Sequence, residues 1–270
     1  MANPVGALFD SWAKQGTGAR MEEAHEYAGK KVLDRISIGY DESFIDVGCG
    51  NGWATRYIAS KVQTIGLCVG IDASPEFIKE ARALSASRYP IKFLASPVED
   101  VPFGESSFNH AFSMEALYYT PDLSAALKSI WRVLKAGGTF HLVVDYFKEN
   151  TASEAWQKDS SLKMHMLSEA EWVAALGAAG FAETKAERIL DDRPVAPDMK
   201  MPWGGFQTRE DHIRFRTEIG SLYLRGKKSS LSHDLDKVLE RASAEIARDT
   251  AQEPAKTEAR ARRGQARKRR

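Results

Sequence analysis

The segment Phe44-Ile45-Asp46-Val47-Gly48-Cys49-Gly50-Asn51-Gly52 constrains this chain more than any other. Phe44 to Val47 is a short apolar run stopped by glycines, the pattern of a buried strand. Gly48, Gly50 and Gly52 then alternate with other residues, and Trp53 to Lys61 reads as a helix. A strand, a glycine turn and a helix form the opening unit of an open parallel sheet. Ligands on such sheets bind outside the carboxyl ends of the strands. Glycines there let the backbone come close to a ligand and adopt conformations closed to other residues.

The rest of the chain keeps the same rhythm. Arg20–Ile38 reads as a helix before the first strand, with Met21, Ala24, Ala28, Val32 and Leu33 as its apolar face. Further strands are expected at Leu67–Ile71, Ile91–Leu94, Phe108–Ser113, Thr139–Asp145, Phe181–Leu190 and Gly220–Gly226. Ser74 and Pro75 open a helix as cap and first helical residue. Asp122–Leu134 reads as another helix, and Ser168 with Glu171 makes a capping box for a helix that stops at Gly180. Strands alternating with helices predict a doubly wound α/β domain around a mainly parallel sheet, here over residues 1–228, with residues 1–40 ahead of the sheet. Two stretches leave the pattern, 147–167 and 191–217, and read as insertions of the functional or mobile kind. A C-terminal helix is expected within 229–252, about Leu235 to Arg248, and a disordered tail over 253–270.

Composition excludes several classes. A hydrophobic fraction of 43% and a charged fraction of 28% are those of a globular chain. No apolar run approaches the roughly 18 residues of a membrane span, and Met1-Ala2-Asn3-Pro4 does not begin a basic-then-apolar leader. Cys49 and Cys68 cannot build a multi-bridge framework. A cytoplasmic location is therefore expected. The net charge of +1 conceals an asymmetry, because Pro254–Arg270 carries eight basic residues against Glu258 and leaves −6 for the preceding 253 residues. That tail can attract nucleic acid or an anionic surface. It has no interleaved aromatic residue to stack on bases, so a solvated tail is the favoured reading.

The glycines follow G-x-G-x-G rather than the G-x-G-x-x-G of dinucleotide binders, and Asp46 stands before them. A pyrophosphate at this turn would be repelled by that acid, whereas a ligand carrying an ammonium and a sulfonium would not. Asp72, 20 residues beyond Gly52 at the end of the second strand, is placed to accept from ribose hydroxyls.

On these residues the chain resembles the class I S-adenosylmethionine-dependent methyltransferases. Phe44–Gly52 looks like their first motif and Gly70-Ile-Asp72-Ala-Ser like their acidic loop. Glu99-Asp-Val-Pro-Phe103 resembles their adenine loop, Phe112-Ser-Met-Glu-Ala-Leu117 their fourth motif, and Arg132–Gly138 the run into strand five. The resemblance spans about Arg20 to Asp145 and is weaker over Phe181–Lys227. It implies a Rossmann-like, seven-stranded sheet with an antiparallel last strand, and S-adenosyl-L-methionine as cofactor. It further implies that Asp46, Gly48, Cys49, Gly50 and Gly52 hold the methionine part, Asp72 the ribose, and Ala73, Val98 and Glu99 the adenine, with Met114 on the far wall. Family members often carry Gly-Asp where this chain has Ser96-Pro97, which leaves the adenine amino group to Glu99 or a backbone carbonyl.

Methyl transfer needs alignment more than a dedicated base. Glu115, just past strand four, is the first candidate for a base, with Tyr118, Tyr119, Asp145 and Tyr146 also near strand ends; Tyr119 is retained beside Glu115, although a pocket wall suits both Tyr118 and Tyr119. Trp12, Met21 and His25 precede the sheet and can cover the cofactor, Trp12 most of all; simple packing is favoured for Met21. Trp156, Trp203 and Phe206 can line an apolar acceptor pocket. His165 and His212 read as structural, and no metal is expected. The acceptor is read as a small molecule methylated at O, N or C. The alternatives are an RNA or protein acceptor anchored by the tail, and a cofactor-binding protein without transferase activity. Ser-Met-Glu-Ala in place of an Asn/Asp-Pro-Pro-Tyr motif speaks against base-amine methylation.

Overall fold

A computed structural model describes residues 3–62, 66–85, 90–196, 198–203 and 205–229. The expected C-terminal helix and basic tail lie outside the described residues. The chain opens with two helices, α1 (Pro4–Lys14) and α2 (Gly18–Leu33). It continues through β1 (Ser43–Val47), α3 (Trp53–Lys61), β2 (Leu67–Asp72), α4 (Pro75–Leu84), β3 (Ile91–Ala95) and β4 (Phe108–Met114). Then come α5 (Leu123–Val133), β5 (Leu134–Val144), α6 (Trp156–Asp159), α7 (Glu169–Ala178), β6 (Phe181–Ile189), α8 (Arg209–Arg214) and β7 (Ser221–Lys228).

Among the described residues, seven strands form one sheet in the order β3-β2-β1-β4-β5-β7-β6. Pairs β1–β2, β2–β3, β1–β4 and β4–β5 are parallel, and β7 runs antiparallel to both β5 and β6. The strand order reverses beside β1, so the connections after β1 and β4 diverge and leave a crevice at their carboxyl ends. The doubly wound, mainly parallel sheet with an antiparallel last strand is the expected architecture.

Alternation along the central strands sends successive side chains to opposite layers. Phe44, Phe112 and Val143 pack with Val32 and Leu33 of α2 and with Ala54 and Ile58 of α3. Their neighbours Ile45, Ala111 and Leu142 pack instead with Leu127 and Ile130 of α5 and Trp172 of α7. Both faces of the parallel strands are therefore covered, which explains the continuous burial of β1.

Local signals set the helix ends. Ser74 Oγ accepts from Phe77 N–H with Pro75 at the first helical position, and Asp122 caps α5. Ser168 and Glu171 form the reciprocal capping box of α7. Two expectations are corrected. The helix expected over Arg20–Ile38 ends at Leu33, because Arg35 and Ile36 N–H turn back to Val32 and Leu33 carbonyls. That tightening delivers Ile36 into the layer formed by Val32 and Leu33. The fifth strand starts at Leu134 rather than Thr139, with a register shift against β4 between Phe108 and His110. The two insertions contain the short helices α6 and α8, and Phe215–Ile219 continues α8 as a π turn. Among the described residues no helix is long and apolar enough to cross a membrane.

Candidate active site

The glycine turn after β1 is held from beneath by β2. Gly48 and Cys49 N–H both donate to the Ile71 carbonyl, at 2.8 and 2.9 Å. Gly48 is in the left-handed region at φ 78°, and a Cβ on it would lie 2.2 Å from that of Ala116, so this position has no room for a side chain. Gly50 is also left-handed at φ 52°, yet a Cβ there would meet nothing within 4 Å. Its backbone borders an open cavity of about 370 Å³.

Asp72 closes the turn from the other side. Its carboxylate accepts from Gly50 N–H and from Ser74 N–H, each at 2.9 Å. Burial raises its pKa to about 6, against the pull of those two amides. Asp72 and Gly50 both line the cavity, together with Gly48, Cys49, Ala73, Val98, Glu99, Met114 and Glu115. The side chain of Glu99 accepts from the Thr120 hydroxyl. Burial pushes the Cys49 thiol well above its ordinary pKa, so it stays protonated and contributes as backbone and apolar surface.

Three residues expected at the cofactor, Asp46, Gly52 and Trp12, do not line this cavity. Asp46 lies behind the turn, 2% exposed, and accepts from the Thr55 hydroxyl at 2.6 Å. Burial raises its pKa to about 7. Gly52 packs under the Phe93 ring, where a Cβ would approach within 2.6 Å. Trp12 and Tyr119 line a second, adjoining cavity of about 590 Å³.

Sequence reasoning missed other parts of the first cavity. Glu22, Asn51, Trp53 and Thr120 line it, as do Asn3 and Phe9 of the N-terminal segment. Asn51 Nδ2 donates to Glu22 Oε2 at 2.8 Å, which ties α2 to the glycine turn. Helix α1 is drawn over the cavity by Asp10, which accepts from Ser74 Oγ and from Glu76 N–H. Gly6 permits that approach, because a Cβ there would lie 2.5 Å from the Ala73 carbonyl oxygen. The recurring Asn3-Pro4 cap could have flagged this helix; nothing local marks its destination.

The second cavity is walled by aromatic residues, Trp12, Tyr118, Tyr119, Trp156 and Trp203. The rings continue from one element to the next, with Tyr118 against Tyr119 at 4.5 Å, Tyr118 against Tyr146 at 5.2 Å and Tyr146 stacked on Trp156 at 6.1 Å. Phe206 backs Trp156 at 5.7 Å and borders a third cavity of about 340 Å³. His165 is bonded to the Thr120 carbonyl at 2.8 Å, and buried His212 stacks on Phe206.

Met21, His25 and Glu115 line both the first and the second cavity. Glu115 has φ 54°, an uncommon conformation for a side chain of its size. One of its oxygens accepts from Asp145 N–H and the other from Tyr118 Oη at 2.6 Å. Burial, then the neighbouring Asp145, raises the Glu115 pKa well above the carboxylate range. Burial lifts Asp145 to about 6 and lowers His25 to about 4. Both Glu115 oxygens are therefore held in hydrogen bonds. Tyr118 and Tyr119 are pushed further from ionisation by burial.

Residues 45–142 match the family described as methyltransferase domain. Tocopherol O-methyltransferase of Arabidopsis thaliana is 32% identical over 150 residues, covering 54% of this chain and 42% of that protein. The O-methyltransferase resE of Aspergillus sclerotiorum is 33% identical over 130 residues, covering 47% of this chain and 48% of that protein. The chain thus spans about half the length of the curated relatives it matches. Among solved structures, a chain of the complex between the Haloferax volcanii Trm112 methyltransferase activator and a methyltransferase is 34% identical, with a TM-score of 0.74. That match covers 82% of this chain and 97% of the other.

Proposed function

The chain belongs to the class I S-adenosylmethionine-dependent methyltransferases, and from this premise we propose that it methylates O, N or C of a small-molecule acceptor in the cytoplasm. The observation that carries the reading is the union of two cavities at Glu115, Met21 and His25, one bordered by the glycine turn and Asp72 and one walled by aromatic rings. Both volumes fall in the roughly 300–1,000 Å³ range of small-molecule sites.

The first cavity fits the cofactor. The bare backbone at Gly50, open to 4 Å, is a cradle that any side chain would fill. Asp72 would accept from the ribose hydroxyls, and Ala73, Val98 and Glu99 would border the adenine. Gly48 and Gly50, with the acidic Asp46 behind them, would face the amino-acid end. When bound, S-adenosylmethionine supplies a methyl group on a cationic sulfur. The residues of the chain orient the acceptor and exclude water. Trp12, Tyr118, Tyr119 and Trp156 offer flat apolar surface to an acceptor in the second cavity, and the shared wall at Glu115 and Met21 is where the two would meet.

Relatives named for tocopherol and sterol methylation support a small acceptor of apolar character. The Haloferax relative was solved with an activator protein, which supports a similar partner for this chain. Incubating the full chain with methyl-labelled S-adenosylmethionine and a cell extract, then separating lipid and metabolite, RNA and protein fractions, tests the acceptor class. Label in the organic-soluble fraction is expected. Label in RNA or protein would favour a macromolecular acceptor and a role for Pro254–Arg270. Absence of label from every fraction, with cofactor binding intact, would favour a binding protein without transferase activity.

A further inference from the structure

Three side chains from distant parts of the sequence meet beside the cavities: His25 of α2, which borders all three, Glu115 just past β4, on the first and second, and Asp145 just past β5, on the third. Each offers one ligand atom, and these atoms all lie within 4.8 Å of one another. Ligands on opposite sides of a first-row divalent cation stand about 4.2 Å apart, twice a bond of about 2.1 Å. The group is therefore within small side-chain rotations of a coordination shell. Two of its members are carboxylates, which take hard cations, and the third is an imidazole, which suits transition metals.

The group is more than a cluster of acids. Asp145 is 7% exposed, and its Oδ1 has no hydrogen-bond partner. A buried carboxylate oxygen left without a donor is costly, and a cation removes that cost. The His25 ring makes no hydrogen bond among the described residues and borders all three cavities. Glu115 is fixed from behind by Tyr118 and by the Asp145 amide, the kind of outer support that orients a ligand. Asn150 Nδ2 donates to the Asp145 carbonyl at 2.8 Å and steadies the third ligand's backbone.

We infer that His25, Glu115 and Asp145 form a binding site for one divalent cation of the Mn2+ class, open toward the acceptor cavity. Water and an acceptor oxygen would complete its coordination. The use of the site rests on the methyltransferase reading, although cation binding itself does not. A cation there lowers the pKa of a bound hydroxyl. The acceptor oxygen would form its bond to the methyl carbon as the carbon–sulfur bond breaks, with the hydroxyl proton leaving to solvent. The site therefore selects a hydroxyl acceptor over an amine or a carbon.

The test is Mn2+ uptake by the full chain after stripping with chelator, followed by the loss of the free Mn2+ paramagnetic resonance signal. One Mn2+ per chain is expected, with His25→Ala and Asp145→Asn each weakening uptake at least about tenfold. Absence of uptake at millimolar Mn2+, or uptake that neither variant alters, would overturn the site. Asp145→Asn preserves side-chain volume, and His25 is less buried than Asp145, so His25→Ala keeps the test open should the first variant misfold. S-adenosylhomocysteine affinity on the same samples reports the cofactor cavity separately. Intact nucleoside binding without Mn2+ uptake would sink the cation site alone.

Discussion

Toward the amino end of β4 and in the middle of β5, an unbroken chain of hydrogen bonds joins His110, Thr139 and His141. It runs from Glu42 through His110, at 3.0 Å, to Thr139 at 2.8 Å, then His141 at 3.1 Å and Tyr223 at 2.7 Å. Past the carboxyl ends of the same two strands, Glu115 sits in a left-handed conformation and Asp145 keeps an oxygen without a donor. Both regions bury histidine or acid in the same sheet. At the amino end every polar partner is another side chain of the fold, so the polar groups are spent on cohesion. At the carboxyl end Glu115 is held by Tyr118 and the Asp145 amide yet borders two cavities, and one Asp145 oxygen is left unpaired. Completeness of hydrogen bonding separates a structural cluster from a functional one more clearly than residue type does.

That contrast can be attacked from its structural side first. Tyr223→Phe removes the hydroxyl that pairs with His141 and should cost about 1–3 kcal/mol of stability, read by chemical denaturation. Cofactor affinity should stay within about twofold. A large affinity loss would mean that the amino-end chain serves the site and would erase the distinction. Burial lowers the His141 pKa to about 3, so the folded state favours its neutral form. The corresponding stability is lost as pH falls below the unfolded value near 6.5, and is fully lost near 3.

The carboxyl end should respond to pH through binding instead. Burial raises Asp72 to about 6, and its charged form is the one that accepts from hydroxyls. Affinity for S-adenosylhomocysteine should therefore be level above about pH 7. It should fall by up to about tenfold per unit as pH drops below 6, measured by titration calorimetry. A flat profile down to pH 5 would remove Asp72 from the ribose contact.

The sheet and the glycine turn were legible because each is specified by neighbours in sequence. Phe44–Gly52 contains both the strand and the conformations its turn requires, and alternating strands and helices dictate the layers. Asp72 was legible for the same reason, since one helix and one strand fix its distance from the glycines. The walls of the cavities were less so. Glu22 reaches Asn51 across the domain, and Asp10 reaches Ser74, through tertiary packing that no local pattern encodes. Asp46 and Gly52 belong to the recognisable motif yet face the interior, because the same turn that opens Gly50 to the cavity directs its flanking residues into the core. Trp12 is expected over the cofactor, and Tyr119 beside the acceptor as a base candidate or pocket wall. Their rings stand 6.2 Å apart and both line the adjoining cavity. His25, Glu115 and Asp145 are separated by whole strands and helices, so their meeting could be read only from the fold.

The turn after β1, completed by Asp72, is proposed to hold the nucleoside of S-adenosylmethionine. Calorimetric titration of the wild-type chain and Asp72→Ala with S-adenosylhomocysteine tests it most directly. Two charge-assisted bonds to ribose, each about 1.5–3 kcal/mol, predict saturable binding to wild type and at least about a hundredfold loss in the variant. Absence of binding to the wild type, or equal binding to a folded Asp72→Ala, would contradict the account.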